Sequence, residues 1–190
     1  MGDIVLETDR LVLRRVTESD AALQHRVLNS EAVMARLGGP KELHEIEEKH
    51  ARTMASFAQH GFGFLMMIEK ESGELVGHCG LKRVDHPQAK NPGDFEIGWL
   101  VREDRWRRGY AREAMEAVVD WAFTRHDAPF LVALTCDSNV PSWKLMEKLG
   151  MVRVPELYFD MEGYPPEDNP TTVWRLDRDI WFGKGENRTA

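Results

Sequence analysis
The spacing of apolar positions changes along the chain, and each change marks an element. Residues 4–16, "IVLETDRLVLRRV", are aliphatic and β-branched on both sides of Thr8-Asp9. This predicts a strand with a kink or turn at the polar pair. Thr17, Ser19 and Asp20 supply caps for a helix over about 20–29. "LGGP" at 37–40 predicts a turn. Over 41–60, Leu43, Ile46, Met54, Phe57 and Ala58 suit one face of an amphipathic helix. "FGFLMMIEK" and "ELVGHCGLKRV" flank "ESG", a β-hairpin pattern. Residues 85–93 carry two prolines, an Asn and a Gly, and predict a loop. "DFEIGWLV" at 94–101 alternates with period two: Phe95, Ile97, Trp99 and Val101 on one face, Glu96, Gly98 and Leu100 on the other.

After Gly109 the period becomes helical, with Ala111, Ala114, Met115, Val118, Val119, Ala122 and Phe123 on one stripe. "FLVALTC" at 130–136 predicts a buried strand. "DSNVPSWKLMEKLG" predicts a short helix with capping residues before it, Pro141 in its first turn and Gly150 as its stop. Two more strands are expected at about 151–162 and 171–180, separated by "EGYPPEDNP". The order β, α, α, β, β, β, α, β, α, β, β implies a mixed α/β domain, antiparallel in front with a βαβα back half. One domain is expected over 1–182, with 183–190 a disordered tail.

Composition narrows the class. The chain of 190 residues carries 25 Lys+Arg against 32 Asp+Glu, a net charge of −7 that argues against general nucleic-acid binding and slightly favours a cationic partner. No apolar run approaches the roughly 18 residues that span a bilayer, and no signal peptide is present, so a cytoplasmic protein with no membrane role is expected. Cys79 and Cys136 fit a reducing compartment, belong to no C-x-x-C pair, and with the histidines form no metal-ligand spacing.

Against this acidic background, "EDRWRRGYAREAM" at 103–115 gathers Arg105, Arg107, Arg108 and Arg112 around Gly109 at a helix start. Cations are unfavourable there by roughly 0.3–1 kcal/mol each. A Gly-containing loop feeding a helix start also presents backbone N–H groups with no intrahelical partner, an anion site. A phosphorylated ligand would reconcile the two; a solvated arginine cluster is the alternative. The spacing matches neither G-x-x-x-x-G-K-[ST] nor G-x-G-x-x-G.

"WRRGYAREA" after "FEIGWLV" resembles the acyl-CoA loop, Q/R-x-x-G-x-G/A, of the GNAT superfamily of N-acetyltransferases, with Trp106 in the first place. The branch it resembles includes ribosomal-protein N-terminal, spermidine and some antibiotic acetyltransferases. "ETDRLVLR" resembles that branch's opening strand, "LGGP" its first substrate-side loop, "GELVGHCGL" its third strand and "NVPSWKLMEKLGM" its second cofactor motif. The resemblance covers about residues 6–176. It implies a mostly antiparallel twisted sheet, flanked by helices and splayed between its fourth and fifth strands, here 94–101 and 130–136. It further implies acetyl-CoA as cosubstrate, its diphosphate held by the amides from Arg107 through Arg108, Gly109, Tyr110 and Ala111 to Arg112. The pantetheine would pair with the strand near Trp99, Leu100 and Val101, and Asn139 and Ser142 would contact the cofactor; helix capping is the other reading of Asn139.

Family members use direct attack of a free amine on the thioester, usually without a metal. The attacking ammonium must lose a proton. Glu96, on the polar face of its strand with Gly98 leaving room beside it, is the candidate base; a solvated strand carboxylate is the alternative. The position where many members place a tyrosine to protonate the departing thiolate is Met146. The implied acceptor is a small-molecule amine or a protein N-terminus, shaped by 28–42, 82–93 and 158–170, and a homodimer through the last strands is compatible with the pattern. Met146 also leaves room for a non-catalytic acyl-CoA-binding module. Cys136 as an acyl carrier, His78 as a substrate-side group and a Trp143, Trp174 and Trp181 cage are weaker candidates than inert or packing roles.

Overall fold
Thr8-Asp9 does more than kink the first apolar run. In the computed structural model, which describes residues 2–186, it separates β1 (Ile4–Glu7) from β2 (Leu11–Arg15), which pair antiparallel with Leu6 opposite Leu13. The Thr8 hydroxyl accepts the Leu11 amide at 3.0 Å and closes the turn. The chain forms two compact units. The first holds residues up to Lys82 with Gly98–Val118; the second holds Arg83–Ile97 and the chain from Val119 onward.

In the first unit follow α1 (Asp20–Leu28), α2 (Glu31–Met34), α3 (Leu43–His60), β3 (Phe64–Glu69) and β4 (Leu75–Arg83). The short α2 lies inside a segment expected to be loop; the Ser30 hydroxyl caps it by accepting the Val33 amide. Helix α3 opens on a reciprocal Glu42–Glu45 capping box and stops at Gly61, whose φ of 78° and N–H to the Phe57 carbonyl end the helix. β2, β3 and β4 are successive antiparallel neighbours. Alternation on β3 turns Met66 and Ile68 to one face, where they pack with Val16, Leu28, Leu75 and Leu100.

The second unit contains β6 (Phe130–Cys136), α5 (Val140–Leu149), β7 (Val152–Arg153), β8 (Thr171–Asp177) and α6 (Arg178–Glu186). β6 pairs along its whole length with β8, and β8 with β7. β5 (Phe95–Val101) and α4 (Tyr110–Arg125) contribute residues to both units. The first half of β5 runs parallel to β6, with Glu96 opposite Val132; α4 is the crossover that a parallel pair requires. Val84, Val132, Phe159 and Val173 form a core cluster here. The hydrogen-bonded strands thus make a mostly antiparallel sheet with one parallel pair, in a mixed α/β fold.

Three boundaries differ from expectation. The strand expected over 151–162 reduces to Val152–Arg153, because Pro155 has no amide to give a ladder and opens a 3-10 turn, Pro155–Leu157. Pairing resumes only as an isolated bridge, Phe159 to Thr171. The strand expected to reach 180 ends at Asp177, where α6 starts. The expected tail therefore begins inside α6, and its residues 187–190 lie outside the described residues. Among the described residues no helix is long and apolar enough to cross a membrane.

Candidate active site
β5 ends at Val101, and the chain turns through a 3-10 segment, Glu103–Arg105, before α4 begins at Tyr110. The Arg102 amide donates to the Val76 carbonyl at 2.8 Å and still belongs to the sheet edge. The Arg105 and Trp106 amides close the turn onto Arg102 and Glu103. There the backbone bonding stops. Among the described residues, no amide from Arg107 to Arg112 makes a protein hydrogen bond; the ladder resumes with Glu113 N–H to the Gly109 carbonyl at 3.1 Å. Arg107 and Gly109 are left-handed, with φ of 62° and 85°. Such alternation of backbone conformation at a helix start is the geometry of an anion-binding nest.

The four arginines divide by partner. Arg105 is committed to Glu74 at 2.6 Å and lies 3.9 Å from Glu69. Arg112 pairs with Glu116 one turn on. Arg107 and Arg108 are exposed and form no ion pair among the described residues. The dipole penalty is thus offset by carboxylates for two of them, and only Arg107 and Arg108 present open guanidinium groups beside the nest.

Two networks hold this junction. On one side Glu113, in the first turn of α4, accepts the Thr8 hydroxyl at 2.5 Å, the Arg10 amide at 2.8 Å and Arg10 Nε at 2.7 Å. Burial pushes the Glu113 carboxyl up, but these bonds outweigh it and hold it below the usual range. Arg10 Nη1 donates to the Arg108 carbonyl at 2.9 Å, and its guanidinium lies 4.5 Å from the centre of the Tyr110 ring. On the other side the buried Tyr110 hydroxyl donates to Glu69, which also accepts Ser72 at 2.6 Å; these two bonds keep Glu69 ionised well below its ordinary range. Arg102 and Arg105 share Glu74. Sequence reasoning missed Thr8, Arg10, Glu69 and Glu113. Thr8, Arg10 and Glu69 stand as polar residues in or beside apolar runs, with no spacing that ties them to a loop about 40 to 100 residues away, and Glu113 reads as an ordinary first-turn acid of α4. A surface depression of about 420 Å³ lies alongside, lined by Val27, Ser30, Arg102, Glu103 and Asp104; its carboxylates make it unsuited to an anion.

The predicted strand residues separate by backbone direction. Arg102 bonds to β4, so by alternation Leu100 also faces β4, while Trp99 and Val101 turn their backbone groups the other way. Leu100 is therefore not available for pairing with a ligand, contrary to expectation; its side chain joins the Met66 cluster. The Val101 carbonyl accepts the Trp106 indole at 2.7 Å, which pins a ring that is 45% exposed. Glu96 is half-buried on the face opposite Phe95 and Ile97. The space expected beside Gly98 is filled: a Cβ there would stand 2.9 Å from Cζ of Phe64. That ring also tilts against His78 at 5.4 Å, and burial holds the His78 imidazole at a pKa of about 4, neutral near pH 7.

In the second unit, Asn139 precedes α5 and its carbonyl accepts the Ser142 and Trp143 amides, but its side chain makes no cap bond. Both side chains are half-buried, and neither bonds to protein among the described residues. Met146 is 1% exposed and packed in the core, so it replaces the tyrosine with a group that can neither donate a proton nor reach a ligand. The buried Cys136 thiol lies 3.1 Å from the Ser138 hydroxyl and donates to Asp168 at 3.6 Å. Trp143, Trp174 and Trp181 direct their indoles separately to Asp137, Thr172 and Asp120 and build no cage. No cluster of metal-ligating side chains occurs among the described residues.

Residues 10–152 match the family model described as an acetyltransferase (GNAT) domain. The uncharacterized N-acetyltransferase YnaD of Bacillus subtilis is 34% identical over 148 residues, 78% of this chain and 82% of that protein. An acetyltransferase from Agrobacterium tumefaciens superposes with a TM-score of 0.75 at 29% identity, over 94% of this chain and 96% of that one. A spermidine N-acetyltransferase from Vibrio cholerae, solved with CoA and spermine, has a TM-score of 0.71 at 15% identity, over 91% and 98% of the two chains.

Proposed function
The chain belongs to the acetyltransferase (GNAT) family, and from that premise we propose that it is an acetyl-CoA-dependent N-acetyltransferase acting on a primary amine by direct attack. The observation that carries this reading is the row of open amides from Arg107 to Arg112, with left-handed Arg107 and Gly109 and the two exposed guanidinium groups. Donors of this kind fit a diphosphate, and the charge-assisted contacts of Arg107 and Arg108 neutralise it. Tyr110 and Ala111 contribute through their amides. Trp99 N–H and C=O and Val101 N–H offer a strand edge to the pantetheine. Asn139 and Ser142, with uncommitted side chains, suit polar groups of a ligand in the second unit. Acetyl-CoA supplies the acyl group as a thioester.

Glu96 receives the proton that the acceptor ammonium must lose before attack. Transfer is direct, and with Met146 buried the leaving thiolate takes its proton from solvent. The acceptor is a small-molecule amine or a protein N-terminus, and β7, with Val152 61% exposed, is the edge available for self-association. Acetyl-CoA at about 100 times its dissociation constant should stabilise the protein by roughly 2.7 kcal/mol. No shift in melting temperature at millimolar ligand overturns the reading. Met146 favours a second reading, an acyl-CoA-binding module without turnover; thiol release with any one amine of a broad panel excludes it.

A further inference from the structure
One side chain contacts nearly every part of the loop–helix junction yet comes from the opposite end of the chain. Arg10 sits in the β1–β2 turn. Its backbone N–H and Nε donate to the two oxygens of Glu113, and its Nη2 lies 2.6 Å from Glu113 Oε2. Nη1 donates to the Arg108 carbonyl, and the guanidinium covers the Tyr110 ring. A Cβ on Gly109 would stand 3.3 Å from Nη2, so a side chain there would crowd the arginine.

The Arg108 carbonyl and the Gly109 N–H belong to one trans peptide plane and point in opposite directions. Anchoring the carbonyl to Arg10 therefore turns the Gly109 N–H away from Arg10, into the row of open amides. The same guanidinium fixes the first turn of α4 through Glu113. We infer that Arg10 is a positioning residue for the diphosphate site: it orients the Arg108–Gly109 peptide and locks the loop onto α4, so that the amides converge before any ligand arrives. The left-handed Arg107 and Gly109 make this necessary, since such a segment has no ladder of its own to hold it. The inference rests on the diphosphate role proposed for the loop.

The test compares donors with and without a diphosphate. Arg10→Met keeps the stem and removes the donors. It is expected to raise the Kd for CoA at least tenfold and the KM for acetyl-CoA in proportion, with the KM for the amine and kcat at saturating acetyl-CoA within threefold of the wild-type protein. The loss of kcat/KM with S-acetylpantetheine, which lacks the diphosphate, should be at least fivefold smaller than the loss with acetyl-CoA. Equal losses with both donors, or an unchanged Kd for CoA, overturn the inference. Where Arg10→Met does not fold, Arg10→Lys serves: it keeps a charge for Glu113 but cannot serve Glu113 and the Arg108 carbonyl together, and it should show the same donor-selective loss. Wild-type protein that binds no CoA refutes the diphosphate reading itself, an outcome separate from wild-type binding with an indifferent Arg10 variant.

Discussion
Glu96 and Gly98 are two residues apart on one face of β5 and invite opposite tests. For Glu96 the expected outcome of Glu96→Gln is a fall in kcat of about 100-fold or more, with the Kd for CoA within twofold, because a positioned base contributes roughly 10²–10⁴. An unchanged pH–rate profile in the variant removes Glu96 from the mechanism. For Gly98 the limiting contact is the Phe64 ring, 2.9 Å from an added Cβ. Gly98→Ala should destabilise by about 1–3 kcal/mol, the ordinary cost of overpacking, and Phe64→Leu should recover part of that loss in the double variant. Denaturant unfolding of the four proteins measures it; additive losses contradict the contact. The sequence reading placed Glu96 on the right face and misjudged Gly98, because a missing side chain announces space without saying which neighbour fills it.

At the scale of elements, legibility followed period and locality. Six of the seven positions read for the α4 stripe, Ala114, Met115, Val118, Val119, Ala122 and Phe123, are inaccessible to solvent, and Ala111 is half-buried. The turn around Gly109 and the helix start after it could be read because both are local signals. What holds that loop was not legible. Thr8 and Arg10 reach Glu113 across more than 100 residues, and the Glu69 partner of Tyr110 is 41 residues away; no single-sequence spacing encodes such pairs. Nor could composition tell which arginines were committed to carboxylates. The strand expected at 151–162 fell short for a local reason: it was read across Pro155, whose missing amide ended the ladder. A direct check on the loop is Gly109→Ala, which forces a side chain into a φ of 85° beside Arg10. It should cost about 1 kcal/mol of stability and weaken CoA binding by at least fivefold; a stable variant with unaltered CoA affinity contradicts a strained, pre-set loop.

For the molecule as a whole, buried histidines and Asp20 bear on the acid limit of stability. Burial holds His78 at a pKa of about 4 in the folded state, against 6.5 when unfolded. The unfolded chain therefore binds the extra proton, and stability falls as pH drops from 6.5 toward 4, by at most about 1.4 kcal/mol per pH unit for one proton. Burial also lowers His50 and His126 and adds to the same window. Asp20 is penalised by burial, yet hydrogen bonds from Arg14 and Thr17 outweigh that and bring it down to about 2 from 3.8; its contribution is complete above pH 4 and is lost only below that. Urea midpoints at pH 7 and pH 5 should differ less for His78→Gln than for the wild-type protein; parallel declines contradict the assignment. Function is tested most directly where the reading began, at the open amides. In an amide-resolved NMR titration, CoA is expected to shift the resonances of Arg107 to Arg112, Gly109 foremost, whereas pantetheine leaves them in place. Saturable CoA binding that leaves those amides unmoved would contradict the account.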